Sequence, residues 1–186
     1  MPMNEENVYD FNSLPTDFEV FSTQMEFEPL PADTYQVEIL KVEIKDNPFY
    51  KPDAKDGKTG FKYQISTTLA VIDDGEFYGR RLWKNFTPVM KPTSKKGPTL
   101  LYKFITAVLN TPMNWDDCAS YTAQDKFGKN VMELKNKQLR VGVEIVEKDG
   151  GSKKNAVNSF FAVKKELPPF DEEKSKKMGE DKRSKK

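Results

Sequence analysis

A mainly β fold of five strands, with one helix between the third and fourth, is what this sequence predicts. Three observations carry it: five stretches in which apolar and polar residues alternate, one stretch whose apolar residues recur at helical spacing, and punctuating turn residues between them. At 186 residues the chain has room for one core with tails. Charged residues make up 32% of it, above the usual ~25% for globular domains, so part of the chain is tail. The expected division is an acidic aromatic arm over 1–30, a folded domain over 31–167 and a disordered charged tail over 168–186.

Strand one opens after the Leu30-Pro31-Ala32-Asp33 turn. Tyr35, Val37 and Ile39 alternate, and then the apolar set changes parity to Leu40, Val42 and Ile44. A slip of one residue inside a long strand is what a β-bulge produces, because it bends the strand and exchanges its inward face. Asp46 to Gly60 is rich in Pro, Gly and Lys and reads as a long loop carrying Phe49-Tyr50. Strand two follows over Phe61 to Ile72, with Phe61, Tyr63, Ile65, Leu69 and Val71 on one face. Asp73-Asp74-Gly75-Glu76 is a tight turn into strand three, Phe77 to Thr87, rich in aromatics and cations.

A second basic loop spans Pro88 to Pro98 with Lys91, Lys95 and Lys96. From Thr99 the period changes: Leu100, Leu101, Phe104, Ile105, Val108 and Leu109 form one helical stripe that Asn110-Thr111-Pro112 stops. Short helical turns are expected near Ala119 to Lys126 and Val131 to Leu134. Gln138 to Glu147 alternates as strand four, and after the Gly150-Gly151 tip Asn155 to Lys164 reads as strand five. After Leu167 the chain loses its aliphatic residues, so disorder is expected after Phe170. The order β-β-β-α-β-β is that of the OB-fold, a five-stranded, partly open Greek-key barrel whose second and third strands and hairpin loops bind oligonucleotides.

Composition removes several functions. The absence of His excludes histidine triads and the commonest metal ligand, and the single Cys118 sits beside Asp116 and Asp117, which would not lower a thiol pKa. Asp56-Gly57-Lys58-Thr59 fails as a phosphate loop, since Pro52 stands where the first Gly is needed, and the stretch fails as a calcium loop because Pro52 also stands at the first ligand position. Gly150-Gly151 lacks the third glycine of a dinucleotide fingerprint. No enzyme activity, metal or cofactor is expected. Asn4, Glu5, Glu6 and Asp10 stand where a secretory signal would be basic and then apolar, and no apolar run approaches the ~18 residues of a membrane span. The expectation is an intracellular protein with no membrane partner.

Charge is separated into blocks. Met1 to Leu40 holds nine acids (Glu5, Glu6, Asp10, Asp17, Glu19, Glu26, Glu28, Asp33, Glu38) and no Lys or Arg, so the remainder carries 30 − 20 = +10. A basic domain with an acidic arm points to an anionic partner. Aromatic and cationic residues interleave in Phe49, Tyr50, Lys51, Lys62, Arg80, Arg81, Trp83 and Lys84, with Lys153 and Lys154 at the last hairpin. Single-stranded nucleic acid calls for this pairing: unpaired bases stack on aromatic faces, and phosphates attract cations along the groove. Within strand three, Tyr78, Leu82 and Phe86 read as core, and Arg81 and Trp83 as the opposite, ligand-facing side. The arm either competes for the basic groove through Tyr9, Phe11, Phe18 and Phe21 or packs on the domain as an extra layer.

The runs FEPLPADTYQVEI (Phe27 to Ile39), FYGRRLWKNFT (Phe77 to Thr87) and NAVNSFFAV (Asn155 to Val163) resemble a family of bacteriophage-encoded OB-fold single-stranded DNA-binding proteins. The likeness runs from about Tyr9 to Val163, with Asp33 where the family usually has Gly. It implies non-enzymatic single-strand binding during phage replication or recombination, in the cytoplasm of an infected bacterial host. Replication or recombination proteins are implied as further partners, and RNA binding and a homo-oligomer stay open. The acidic C-terminal tip of bacterial single-strand binding proteins is absent, since the chain ends Lys182, Arg183, Lys185, Lys186. The competing reading is an OB-type protein-interaction module, an inhibitor or assembly factor of a phage, using the same aromatic surface.

Overall fold

The computed structural model describes residues 28–54, 60–88, 97–112 and 129–183. Strands β1 (Asp33–Asp46), β2 (Tyr63–Val71), β3 (Arg81–Phe86), β4 (Gln138–Glu147) and β5 (Lys153–Phe161) form one antiparallel sheet in the order β3-β2-β1-β4-β5. Helix α1 (Leu100–Leu109) separates β3 from β4, the single turn α2 (Lys129–Met132) precedes β4, and α3 (Glu172–Arg183) follows β5. Most of the arm, the loop lysines at 55, 58, 91, 95 and 96, Cys118 and the helical turn expected at 119–126 lie outside the described residues. Among the described residues no helix is long and apolar enough to cross a membrane.

The parity change in β1 is a bulge. Its register against β2 shifts between Ile39 and Lys41, leaving Leu40 as the extra, half-buried residue. Tyr35, Val37 and Ile39 are buried before the shift and Val42 after it. The bend lets one strand pair with β4 through Asp33–Glu38 and with β2 along Val37–Asp46, so β1 joins both halves of the sheet.

Inward residues of β1, β2, β3 and β4 form the core with α1. Thr99 caps the helix by accepting the Tyr102 amide at 3.2 Å, and Asn110 ends it in the left-handed region at φ 50°, which Asn tolerates better than most residues. Leu101, Phe104, Ile105 and Ala107 are buried, whereas Leu100, expected on the stripe, is exposed. Phe104 packs on Phe86 at 4.7 Å and on Phe160 at 5.5 Å between ring centres, tying helix to sheet. Val131 and Leu134 close the core beside β1, where Asn136 donates to the Ile39 carbonyl at 2.7 Å.

The sheet is open. Among the described residues no ladder joins β3 to β5; side chains link these edges instead, Phe86 to Phe160 at 5.6 Å and Lys84 Nζ to Asn158 Oδ1 at 3.2 Å. Asn158 is the extra residue of the β4–β5 register shift at Gly142/Val143, and a bulge interrupts the regular edge that a ladder needs.

Three expectations change. Strand three begins at Arg81 and not Phe77, because residues 75–80 form successive turns: Tyr78 donates to the Gly75 carbonyl and Arg80 to that of Phe77, and Gly79 sits at φ 81°. Leu30, placed at the end of the arm, is core: it is 1% exposed, and Asn155 pairs with its backbone at 2.8 and 2.9 Å. The tail expected to be disordered over 168–186 is ordered through its described part, to 183. Leu167 exchanges hydrogen bonds with the Gln138 amide at 2.7 and 2.9 Å, Phe170 stacks on Tyr78, and Asp171 caps α3 by accepting from Glu173 and Lys174. A count of aliphatic residues misses an anchor made of one aromatic ring, a cap and side-chain bonds to the backbone.

Candidate functional site

Leu82 and Phe86 point into the core, so the alternation of β3 turns Arg81, Trp83 and Asn85 to the opposite face. Cross-strand register then arranges the outer face in rows: Arg81-Ala70-Glu38, Trp83-Thr68-Lys41 and Asn85-Ser66-Glu43. The middle row is a platform. Trp83 is 68% exposed, with Thr68 directly opposite, so its indole is held in mid-strand and open to solvent. Beside it Glu43 accepts from Lys41 at 2.6 Å and Lys45 at 3.0 Å, and these hydrogen bonds hold its carboxyl below the usual glutamate range. Two lysines against one carboxylate leave this stretch of β1 with a net positive charge.

The Arg81 row is covered. The Arg81 guanidinium lies 4.4 Å from the centre of the Phe170 ring, whose other neighbour is Tyr78 at 5.9 Å, nearly parallel. Glu38 is buried beneath and accepts the Phe170 amide at 2.8 Å. Burial lowers the pKa of Arg81, and its Nη1 is enclosed without a hydrogen-bond partner. Arg81 does share the outer face with Trp83, as its position predicts, but the C-terminal segment occupies it.

Two further cations face elsewhere. Lys84 has the parity of Leu82 and Phe86; it reaches the seam between β3 and β5, and burial lowers its pKa. Arg80 donates to the Glu28 carbonyl at 2.6 Å, holding the end of the arm. Lys153 and Lys154 are exposed at the start of β5, opposite Glu147 and Val146, at the tip of the last hairpin and away from the three rows.

The loop after β1 folds over the far end of the face. Asn47 fixes it: its amide donates to the Lys62 carbonyl at 2.8 Å, its side chain donates to the Phe61 carbonyl at 2.9 Å, and its Oδ1 accepts from Phe49. Phe49 is thereby held 62% exposed, beside the exposed Tyr50 and Lys51. Lys62 is also exposed, its ammonium 5.5 Å from the Tyr63 ring. A cleft of about 230 Å³ opens here, lined by Phe49, Phe61, Tyr63, Gln64, Asn85 and Thr87 among others. Gln64, Asn85 and Thr87 carry no obvious motif; the signal that could have found them is their outward parity beside Trp83.

The structure thus brings Phe49, Lys62 and Trp83 to one face, with Lys41, Lys45, Gln64 and Asn85 added, while Arg80, Lys84, Lys153 and Lys154 lie off it. Among the described residues no group of three Cys, Asp or Glu side chains could hold a metal ion. No protein-family model matches the chain, and comparison with curated proteins finds no match.

Proposed function

We propose that this chain is a non-enzymatic, sequence-tolerant single-stranded DNA-binding protein of OB type, acting in phage replication or recombination inside a bacterial host. The observation that carries the reading is Trp83, two-thirds exposed in the middle of a strand, in one cross-strand row with Lys41 and two residues along β3 from Asn85, which lines a cleft with Phe49. Stacking of unpaired bases on such a platform supplies about 1–3 kcal/mol per base, and Lys41, Lys45, Lys51 and Lys62 supply phosphate attraction. The OB assignment is supported by strand order, by the helix between β3 and β4, and by the bent first strand shared by both halves of the sheet. Side-chain links across the β3–β5 seam are compatible with a partly open barrel.

One observation favours the second reading, a protein-interaction module: the outer face already receives a peptide, with Phe170 between Tyr78 and Arg81. Fluorescence titration with oligo-dT, the matching RNA and duplex DNA at two salt concentrations separates the two. Preference for single strands with affinity falling steeply in salt supports the proposal. Equal affinity for duplex, or no binding, favours the module.

A further inference from the structure

The cleft beneath the β1–β2 loop differs from the Trp83 platform in offering hydrogen-bonding amides as well as aromatic walls. Gln64 and Asn85 are held by neighbouring strands, and neither side chain makes a hydrogen bond within the described structure. Phe49, Phe61 and Tyr63 flank them. At about 230 Å³ the cleft is smaller than the ~300–1,000 Å³ that takes a drug-sized ligand, which limits it to one ring system.

Its position adds the second half of the argument. Asn85 lies two residues along β3 from Trp83 on the same face, a distance of about 7 Å at ~3.3–3.4 Å per residue. That is one step for an extended, unstacked strand. A base stacked on Trp83 would place its neighbour at the cleft, with Lys45, paired opposite Gln64, near the connecting phosphate.

We infer that this cleft is a nucleobase-reading pocket, in which the Gln64 and Asn85 carboxamides hydrogen-bond the edge of one base adjacent to the base on Trp83. The inference rests on the single-strand reading and refines it: binding tolerates most sequences but prefers one base at one position in the repeat. A carboxamide offers an acceptor beside a donor, the arrangement that pairs bidentately with an exocyclic amine and its adjacent ring nitrogen; unpaired adenine and cytosine both carry that pair, and adenine, with the larger ring face against the aromatic walls, is the preferred occupant.

The test compares oligo-dT with repeats of d(TTA), d(TTC) and d(TTG) at fixed salt, on the full chain and on Gln64→Ala, Asn85→Ala and Trp83→Ala. The full chain should bind d(TTA) repeats about five-fold or more tighter than oligo-dT. Gln64→Ala and Asn85→Ala should bring that ratio close to one without lowering the melting temperature. Trp83→Ala should weaken all four ligands alike. An unchanged ranking in both amide variants, or no ranking in the full chain, overturns the pocket and leaves the single-strand reading intact. Failure to bind any of the four overturns both.

Discussion

Replacing Trp83 by alanine separates a binding platform from a packing residue. Truncating a buried Trp costs about 3–5 kcal/mol, but Trp83 is 68% exposed, so only about a third of that is at stake in the fold. The expected stability loss is about 1 kcal/mol, a fall in melting temperature of about 2–4 °C for a chain of this size. The expected loss in binding is larger: one stacked base is worth about 1–3 kcal/mol, or roughly five- to 150-fold in Kd. Anisotropy of a labelled oligo-dT beside a thermal melt gives both quantities, and Trp83→Phe, which retains an aromatic face, should recover most of the affinity. A melting temperature lowered by about 10 °C with affinity unchanged would refute the reasoning, because it would assign the indole to packing.

Binding should weaken with salt at a log–log slope of roughly −3.5, from about five neutralised phosphates on a single strand; a slope near zero argues for the protein-interaction module. Phe170→Ala removes a ring stack and a cation–π contact of about 1–2 kcal/mol together, and should make α3 a preferred site of limited proteolysis; an unchanged digest refutes its role as anchor. Gly79→Ala should release the same helix, since a Cβ there would overlap the Ser175 side chain and φ 81° disfavours Ala; proteolytic resistance equal to the parent chain would contradict this. The Glu43 carboxyl should titrate below the ordinary glutamate value in a carboxyl NMR titration. Because its folded pKa is depressed, the associated stability is present above the unfolded value and is lost as pH falls through the folded one. An ordinary titration midpoint would show that the two lysines do not hold it.

Where side-chain parity decides the structure, the residues announced it. The slip from Ile39 to Leu40 marks the bulge, strand four runs from Gln138 to Glu147 as its alternation does, and the parity of β3 separates Leu82 and Phe86 from Arg81 and Trp83. Lys84 was legible by the same rule, since it shares the parity of Leu82, which turns it to the β3–β5 seam beside Asn158 and away from Trp83. The start of β3 was not legible, because Phe77 and Tyr78 continue the apolar pattern through turns that depend on Gly75 and Gly79 at positive φ. The cleft depends on a loop folding back through Asn47, and the docked C-terminal segment on contacts more than a hundred residues apart along the chain, such as Phe170 with Glu38.

The block charge of +10 beyond Leu40 overstates the field that a bound strand would meet. Arg81 faces the Phe170 ring, Arg80 the Glu28 carbonyl and Lys84 Asn158, while Lys41 and Lys45 share Glu43. A phosphate approaching the Trp83 row must therefore compete with Glu43 for its lysines, and that exchange returns part of the Coulomb energy it gains. In the proposed binding mode, aromatic stacking at Trp83 and Phe49 would then supply a larger share of affinity than the charge count implies. Since stacking does not release counterions, a fraction of the binding energy should persist at salt concentrations that screen the lysines. A protein relying on its net charge alone would lose nearly all of its binding under those conditions, so the affinity remaining at high salt measures how far the aromatic platform, and not the basic surface, holds the strand.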